Sequence, residues 1–162
     1  MGFEMISGDF SHCQDFDQFH KEILELHAKA HGTSYLDVHL EISRYVSSYE
    51  TYRELGVNQG ATAATALSFI PSSMKIYDIN LKNFEPHRKF FEDEAKKLGI
   101  HFEAHEKSSL DPSTAEYVDV LYIDTLHTRE HLMKELELHH EFVRQAIICH
   151  DTYAKPEMHK VS

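Results

Sequence analysis

The residues with chemical potential fall in four short segments. The first is Glu54-Leu55-Gly56-Val57-Asn58-Gln59-Gly60-Ala61-Thr62, followed by the small residues Ala63 to Ala66. Two glycines so spaced let the backbone turn sharply and come close to a ligand, and the start of a helix supplies free N–H groups. The plain alternative is a tight turn with no ligand. Asp78 closes the next apolar run, where an acid accepts both hydroxyls of a ribose in dinucleotide-binding folds, or simply caps a helix. Glu106-Lys107-Ser108-Ser109 reaches an adenine edge or turns the chain. Last come Asp124-Thr125-Leu126-His127 and His150-Asp151-Thr152, two acids and two histidines, each set behind an apolar run. Asp124 and Asp151 suit Mg²⁺ or Mn²⁺ as oxygen ligands, and a neutral histidine beside them serves as a general base near pH 7. Capping of the segments that follow is the alternative for both acids.

Other histidines invite separate readings. His127-Thr128-Arg129-Glu130-His131 matches the H-x-x-E-H pattern of inverted zinc peptidases, which would put both histidines on one helix face and requires a third ligand elsewhere. His20, His27, His31, His39, His101, His105, His139 and His140 read as solvated helix faces or strand edges. Of the 14 histidines, His127 and His150 keep a chemical case.

The elements that would position these residues alternate. Short apolar strands are expected at about 51–55, 74–78, 100–105, 118–123 and 145–150, with helices at about 61–69, 84–98, 112–116 and 128–143. Pro86 in a first turn and Gly99 just past a last turn mark one of these helices. Near-continuous apolar strands alternating with helices imply a parallel sheet covered on both faces. Right-handed crossovers make it an α/β, Rossmann-like doubly wound sheet that binds ligands beyond the carboxyl ends of its strands. Two helices precede it. One spans 15–31, with Phe16, Phe19, Ile23, Leu26 and Ala30 at helical spacing, Asp15 and Gln18 as a capping pair, and Gly32 after its end. The other spans about 34–49, with Thr33 as cap and Leu36, Leu40, Ile42 and Val46 inward.

A chain of 162 residues makes one domain: a helical segment over 1–50, a core over 51–152 and a tail over 153–162. Hydrophobic residues at 41% and charged residues at 27% describe a soluble globular protein. The net charge of -11 argues against nucleic-acid or anionic-membrane partners, which that surface would repel. Cys13 and Cys149 make no disulfide framework, and Cys149 reads as a small core residue. No apolar run spans a membrane, the start lacks a signal peptide, and Ile6 stands where a myristoylation signal wants Ser or Thr, so a cytoplasmic protein is expected.

With these residues in view, the stretch from about Tyr49 to Thr152 resembles the class I S-adenosylmethionine-dependent methyltransferases. It is most similar to the metal-dependent small-molecule O-methyltransferases of macrolide pathways and the cephalosporin-hydroxylase-like proteins. The carrying segments are ELGVNQGAT (54–62), IYDIN (76–80), VDVLYIDTLHTREHLMKELEL (118–138) and AIICHDT (146–152). The resemblance implies strand order 3-2-1-4-5. It implies a cofactor loop at Glu54, Gly56, Asn58 and Gly60, a ribose acceptor at Asp78, and further cofactor contacts at Ser109 and Asp124. It also implies a metal, such as Mg²⁺, at Asp124, His150 and Asp151, and a base at His127. The acceptor implied is a hydroxylated small molecule. Departures are Thr125 in place of a glycine, Phe142-Val143-Arg144-Gln145 in place of a glycine pair, and an expected sheet without the family's last two strands. The non-catalytic alternative is a module that binds S-adenosylmethionine or another nucleoside. A bare fifth-strand edge, Gln145 to His150, is expected to take a second copy of the chain or the C-terminal tail.

Overall fold

The computed structural model describes residues 8–32 and 34–151, so the Thr33 cap and the tail beyond Asp151 lie outside the described residues. Five strands form one sheet in the order β3-β2-β1-β4-β5, with all four pairings parallel. They are β1 (Thr51–Leu55), β2 (Ser73–Asp78), β3 (His101–Glu106), β4 (Val118–Ile123) and β5 (Val143–Cys149). The helices are α1 (Phe16–His31), α2 (Ser34–Val46), α3 (Ala61–Ser68), α4 (Arg88–Leu98) and α5 (Arg129–His139). The expected doubly wound sheet and its strand order are both present.

Alternation along the strands divides the core in two. Tyr52, Met74, Ile76, Val120 and Tyr122 face α1 to α4 and bury Phe16, Phe19, Ile23, Phe84 and Phe91 against them. Leu55, Tyr77, Leu121 and Ile123 face the other way and pack on Leu132 and Leu136 of α5. Val118 also belongs to this second group, and between Val118 and Val120 the register shifts by one residue, with the extra residue in β5. Burial of these apolar side chains is the main force holding helices to sheet, at roughly 1.5–3 kcal/mol for each large one.

Local chemistry sets the helix ends. Asp15 accepts the Gln18 N–H at 2.9 Å, and Gln18 reaches back to the Gln14 N–H at 3.0 Å, so the capping pair sits one residue earlier than a standard box. Thr128 caps α5 through the His131 N–H at 3.2 Å. Gly99 closes α4 in the left-handed region, at φ 71.

Several expectations need correction. The expected 84–98 helix begins as a 3₁₀ turn, Glu85–His87, a common form for a helix start, and the 112–116 helix is a single 3₁₀ turn, Pro112–Thr114. The helix expected to 143 stops at His139, and β5 starts at Val143. In α2 the buried line is His39, Ile42 and Val46, at i, i+3 and i+7. Leu36 and Leu40 lie off that line, and Leu40 is 65% exposed. In α1 the buried line continues through His27, while Ala30 is exposed. His27, His39 and His139 are therefore buried, contrary to the solvated reading, because a neutral imidazole is compact enough to pack in an apolar layer. Burial depresses the His39 imidazole to about 4, which keeps it neutral. Cys149 is only partly buried.

Candidate functional site

The ends of the central strands run in step. The Gly56 N–H donates to Tyr77 O at 2.8 Å, the Asp124 N–H to Leu55 O at 2.8 Å, and the His150 N–H to Ile123 O at 3.0 Å. Each loop therefore leaves the sheet at one level, as parallel order with ligand-bearing carboxyl ends requires.

The glycine loop turns through three positive-φ residues, Gly56 (φ 85), Asn58 (φ 50) and Gly60 (φ 94). Asn58 tolerates this region better than most side chains do. Asp78 fastens the loop from the neighbouring strand: its Oδ2 accepts the Val57 and Asn58 N–H groups at 2.8 and 3.1 Å, and Oδ1 accepts the Asn80 N–H at 3.1 Å. A cavity of about 730 Å³ opens above. Gly56, Asn58, Asp78, Ser109 and Asp124 all line it, so five of the residues expected to touch a cofactor share one wall.

Glu54 and Gly60 do not line it. The Glu54 carboxylate is fully buried beneath the loop, accepting Tyr52 Oη at 2.7 Å and Thr62 Oγ1 at 2.6 Å. Burial, only partly offset by those two hydrogen bonds, pushes it up to about 8. Gly60 is small for packing: a Cβ there would stand 3.0 Å from the Phe91 ring and 3.3 Å from that of Phe84.

The second set of residues gathers around Asp124, its one member on the cavity wall; His127, His150 and Asp151 are not among the lining residues. Single ligand atoms of Asp124, His127, His150 and Asp151 all lie within 4.8 Å of one another. His127 bridges the acids, with Nε2 at 2.8 Å from Asp124 and Nδ1 at 3.2 Å from Asp151. His150 Nδ1 lies 3.3 Å from Asp124 and 3.2 Å from Asp151 yet is aligned with neither as a hydrogen bond. Asp151 occupies the left-handed region at φ 53, a cost for a non-glycine residue that brings its carboxylate into the group. Burial pushes the Asp124 carboxyl up, but the two histidines outweigh it and hold it at about 2. The Asp124 carboxylate in turn raises both His127 and His150.

The zinc-peptidase pattern is not assembled. Thr128 is the N-cap of α5, with φ -121 and ψ 144, so His127 precedes the helix and shares no face with His131. Glu130 pairs with Lys134 at the surface. His131 belongs instead to a group absent from the sequence reading: buried Glu135 accepts Ser109 Oγ at 2.5 Å, Thr125 Oγ1 at 2.6 Å and His131 Nε2 at 3.1 Å. This group ties two cavity-lining loops to α5, and its one sequence signal is the His131/Glu135 spacing of four.

The sheet order is that of a Rossmann-like α/β fold, which solved methyltransferases share. An O-methyltransferase family protein from Burkholderia thailandensis matches with a TM-score of 0.61 at 20% identity over 91% of this chain. The SAM-bound amino pentose methyltransferase CalS10 from Micromonospora echinaspora matches at 0.55, with 10% identity, over 83% of this chain and 58% of its own. The mitomycin 7-O-methyltransferase MmcR matches at 0.55, with 15% identity, over 88% and 45%. The chain spans 44% of the length of the Burkholderia protein. No protein-family model matches the sequence, and no curated protein matches it either. Among the described residues no helix is long and apolar enough to cross a membrane.

Proposed function

We propose that this chain binds S-adenosylmethionine across the ends of β1, β2 and β4 and transfers its methyl group to a hydroxyl of a small molecule. The observation that carries the reading is the joint placement of the glycine loop, Asp78 and Asp124 on one cavity, in a fold shared with SAM-bound CalS10. A volume of about 730 Å³ suits a nucleoside-sized ligand. Asp78 already accepts three N–H groups, and the one lone-pair site left, on Oδ1, suits a ribose hydroxyl. When bound, the cofactor supplies an electrophilic methyl. The chain's task is then to position the acceptor and remove its proton. We assign that proton to His127, whose ring must release one of its two carboxylates, Asp124 at Nε2 or Asp151 at Nδ1, to take it, while the other stabilises the imidazolium that results.

Asp124, Asp151, His150 and His127 also fit a divalent cation. The unaligned His150 Nδ1, facing two carboxylates, is placed as a ligand atom would be. Two imidazoles with two carboxylates suit Mn²⁺ or Zn²⁺ better than Mg²⁺, which prefers oxygen. Such a cation would lower the pKa of an acceptor hydroxyl.

Calorimetric titration with S-adenosylmethionine and S-adenosylhomocysteine, with and without Mn²⁺, tests the reading. Both should bind, and Asp78→Ala should weaken them at least tenfold. His127→Ala should retain cofactor binding and lose transfer. Failure of the folded protein to bind either compound overturns the proposal, and transfer undiminished in His127→Ala overturns the base assignment.

Among the described residues β5 has β4 as its single sheet neighbour, so one edge carries unpaired backbone groups. We infer that a second copy of the chain pairs there. Sedimentation should show a dimer, with the outward amides of β5 protected from exchange. A monomer whose β5 amides exchange freely would defeat this.

A further inference from the structure

A second group of ligating side chains lies away from the cavity, on the other side of the fold's entry. His12, Cys13 and Glu22 offer a nitrogen, a sulfur and an oxygen, all within 4.8 Å of one another. Cys13 Sγ stands 3.2 Å from Glu22 Oε2 and 3.8 Å from His12 Nε2, and His12 Nε2 is in contact with the same carboxylate oxygen. We propose that these three side chains form a metal site for a zinc-class divalent cation, independent of the cofactor reading.

The local fold brings them together. A turn closes at Cys13, whose N–H donates to Phe10 O at 2.9 Å, and Asp9 Oδ1 accepts the Ser11 N–H at 2.9 Å. The turn delivers His12 and Cys13 side by side, and Asp15 then caps α1. Glu22 stands on the face of α1 that looks back at the turn. Gln18 Nε2 donates to Glu22 Oε1 at 3.3 Å, which leaves Oε2 for the cluster. A hydrogen bond that orients a ligand in this way is a usual part of a metal site.

The donors select the ion, and one contact, His12 Nε2 with Glu22 Oε2, must open to admit it. A tetrahedral Zn²⁺ with sulfur at 2.3 Å and nitrogen or oxygen near 2.0–2.1 Å needs its ligand atoms roughly 3.3–3.6 Å apart. The two sulfur distances lie on either side of that range by a few tenths of an ångström. A thiol, an imidazole and one carboxylate are a poor set for Mg²⁺ or Ca²⁺, which take oxygen. On binding, the Cys13 S–H bond breaks, sulfur bonds to the cation, and the proton leaves to solvent. Three protein ligands leave the fourth position open past the His12 side chain, which is 58% exposed, so water completes the shell.

Such a site would fasten the segment before α1 to α1 itself. Phe10 in that segment packs edge-on against Phe19 and His87, each with ring centroids 5.4 Å apart, and the Gln59 amide of the glycine loop reaches Gly8 O at 3.5 Å. The cation would therefore brace the segment that abuts the cofactor loop.

Co²⁺, a spectroscopic stand-in for zinc, tests the proposal on the full chain. Coordination by Cys13 should produce a thiolate-to-cobalt charge-transfer band that Zn²⁺ abolishes. The band should persist in Asp124→Ala and Cys149→Ala, vanish in Cys13→Ala, and need at least tenfold more Co²⁺ in His12→Ala and Glu22→Gln. His12 is largely exposed, so its variant should fold even where Cys13→Ala does not. In the Asp124→Ala background, which removes the other candidate cation site, Zn²⁺ at a hundredfold excess over its Kd should raise Tm by about 5 °C, and by at most half of that when His12→Ala is added. No band in the wild type, an unchanged titration in His12→Ala, or a band lost with Cys149 and kept without Cys13 overturns the assignment.

Discussion

Gly56→Ala should cost the protein about 3–5 kcal/mol, a large fraction of the stability of an ordinary domain. The new Cβ would stand 2.0 Å from the Asp124 carbonyl oxygen, 2.6 Å from its carbon and 3.1 Å from the Thr125 nitrogen. All three are backbone atoms at the end of β4, and no side-chain rotation relieves the overlap. The φ of 85 adds the strain of a left-handed residue bearing a Cβ. Gly99→Ala supplies the control. Gly99 has φ 71 but nothing within 4 Å of the added atom, so that variant carries the strain alone, about 1 kcal/mol. Urea unfolding of the two variants separates contact from strain. If Gly56→Ala loses no more than Gly99→Ala, the close approach of the glycine loop to β4 is wrong. Asp124 moves whenever that approach opens, so a folded Gly56→Ala should also lose ligand binding at the cavity.

That contact illustrates what the sequence could and could not convey. The apolar runs of β1 and β4, the two glycines and Asp78 are local signals, and from them the doubly wound sheet follows, while the strand order rests on the resemblance. Glycine's permissiveness is legible, but not that its partner is the Asp124 carbonyl, because the register of β1 against β4 decides it. The Glu135 group was hidden for the same reason, since Ser109, Thr125 and His131 meet only once three strand ends align. Helix phase was misjudged where a histidine took a core position. His27 and His39 look polar in a hydrophobic pattern, so the stripe was drawn through Ala30 and Leu40 instead. Glu54 was read as a ligand contact because it precedes the glycines, yet strand alternation turns it toward α3, under the loop.

Its burial gives Glu54 a measurable effect on stability. Desolvation dominates and Asp124 and Asp78 add repulsion, so the carboxyl sits at about 8 in the folded chain against the usual 4.5 unfolded. Between those values the folded state holds a proton that the unfolded state has lost. Stability from this group is therefore complete below 4.5 and drains away as pH rises to 8. At about 1.4 kcal/mol per pKa unit, the ceiling on this effect is roughly 5 kcal/mol. His20, His27, His39, His87 and His139 pull the other way, because burial lowers each below 6.5 and costs stability as pH falls through that value. Those five become neutral in both states only above about pH 7.5; below that they offset part of the decline from Glu54, while His127 and His150, whose values are raised, act in the same direction as Glu54. Glu54→Gln isolates the first contribution, since the amide keeps the shape and can satisfy both Tyr52 and Thr62 without titrating. In thermal unfolding from pH 6.5 to 8, the stability of wild type relative to Glu54→Gln should fall by roughly 1.5 kcal/mol, a difference in which the histidine contributions cancel. A difference between wild type and Glu54→Gln that stays level over this interval would mean that Glu54 is ionised beneath the loop.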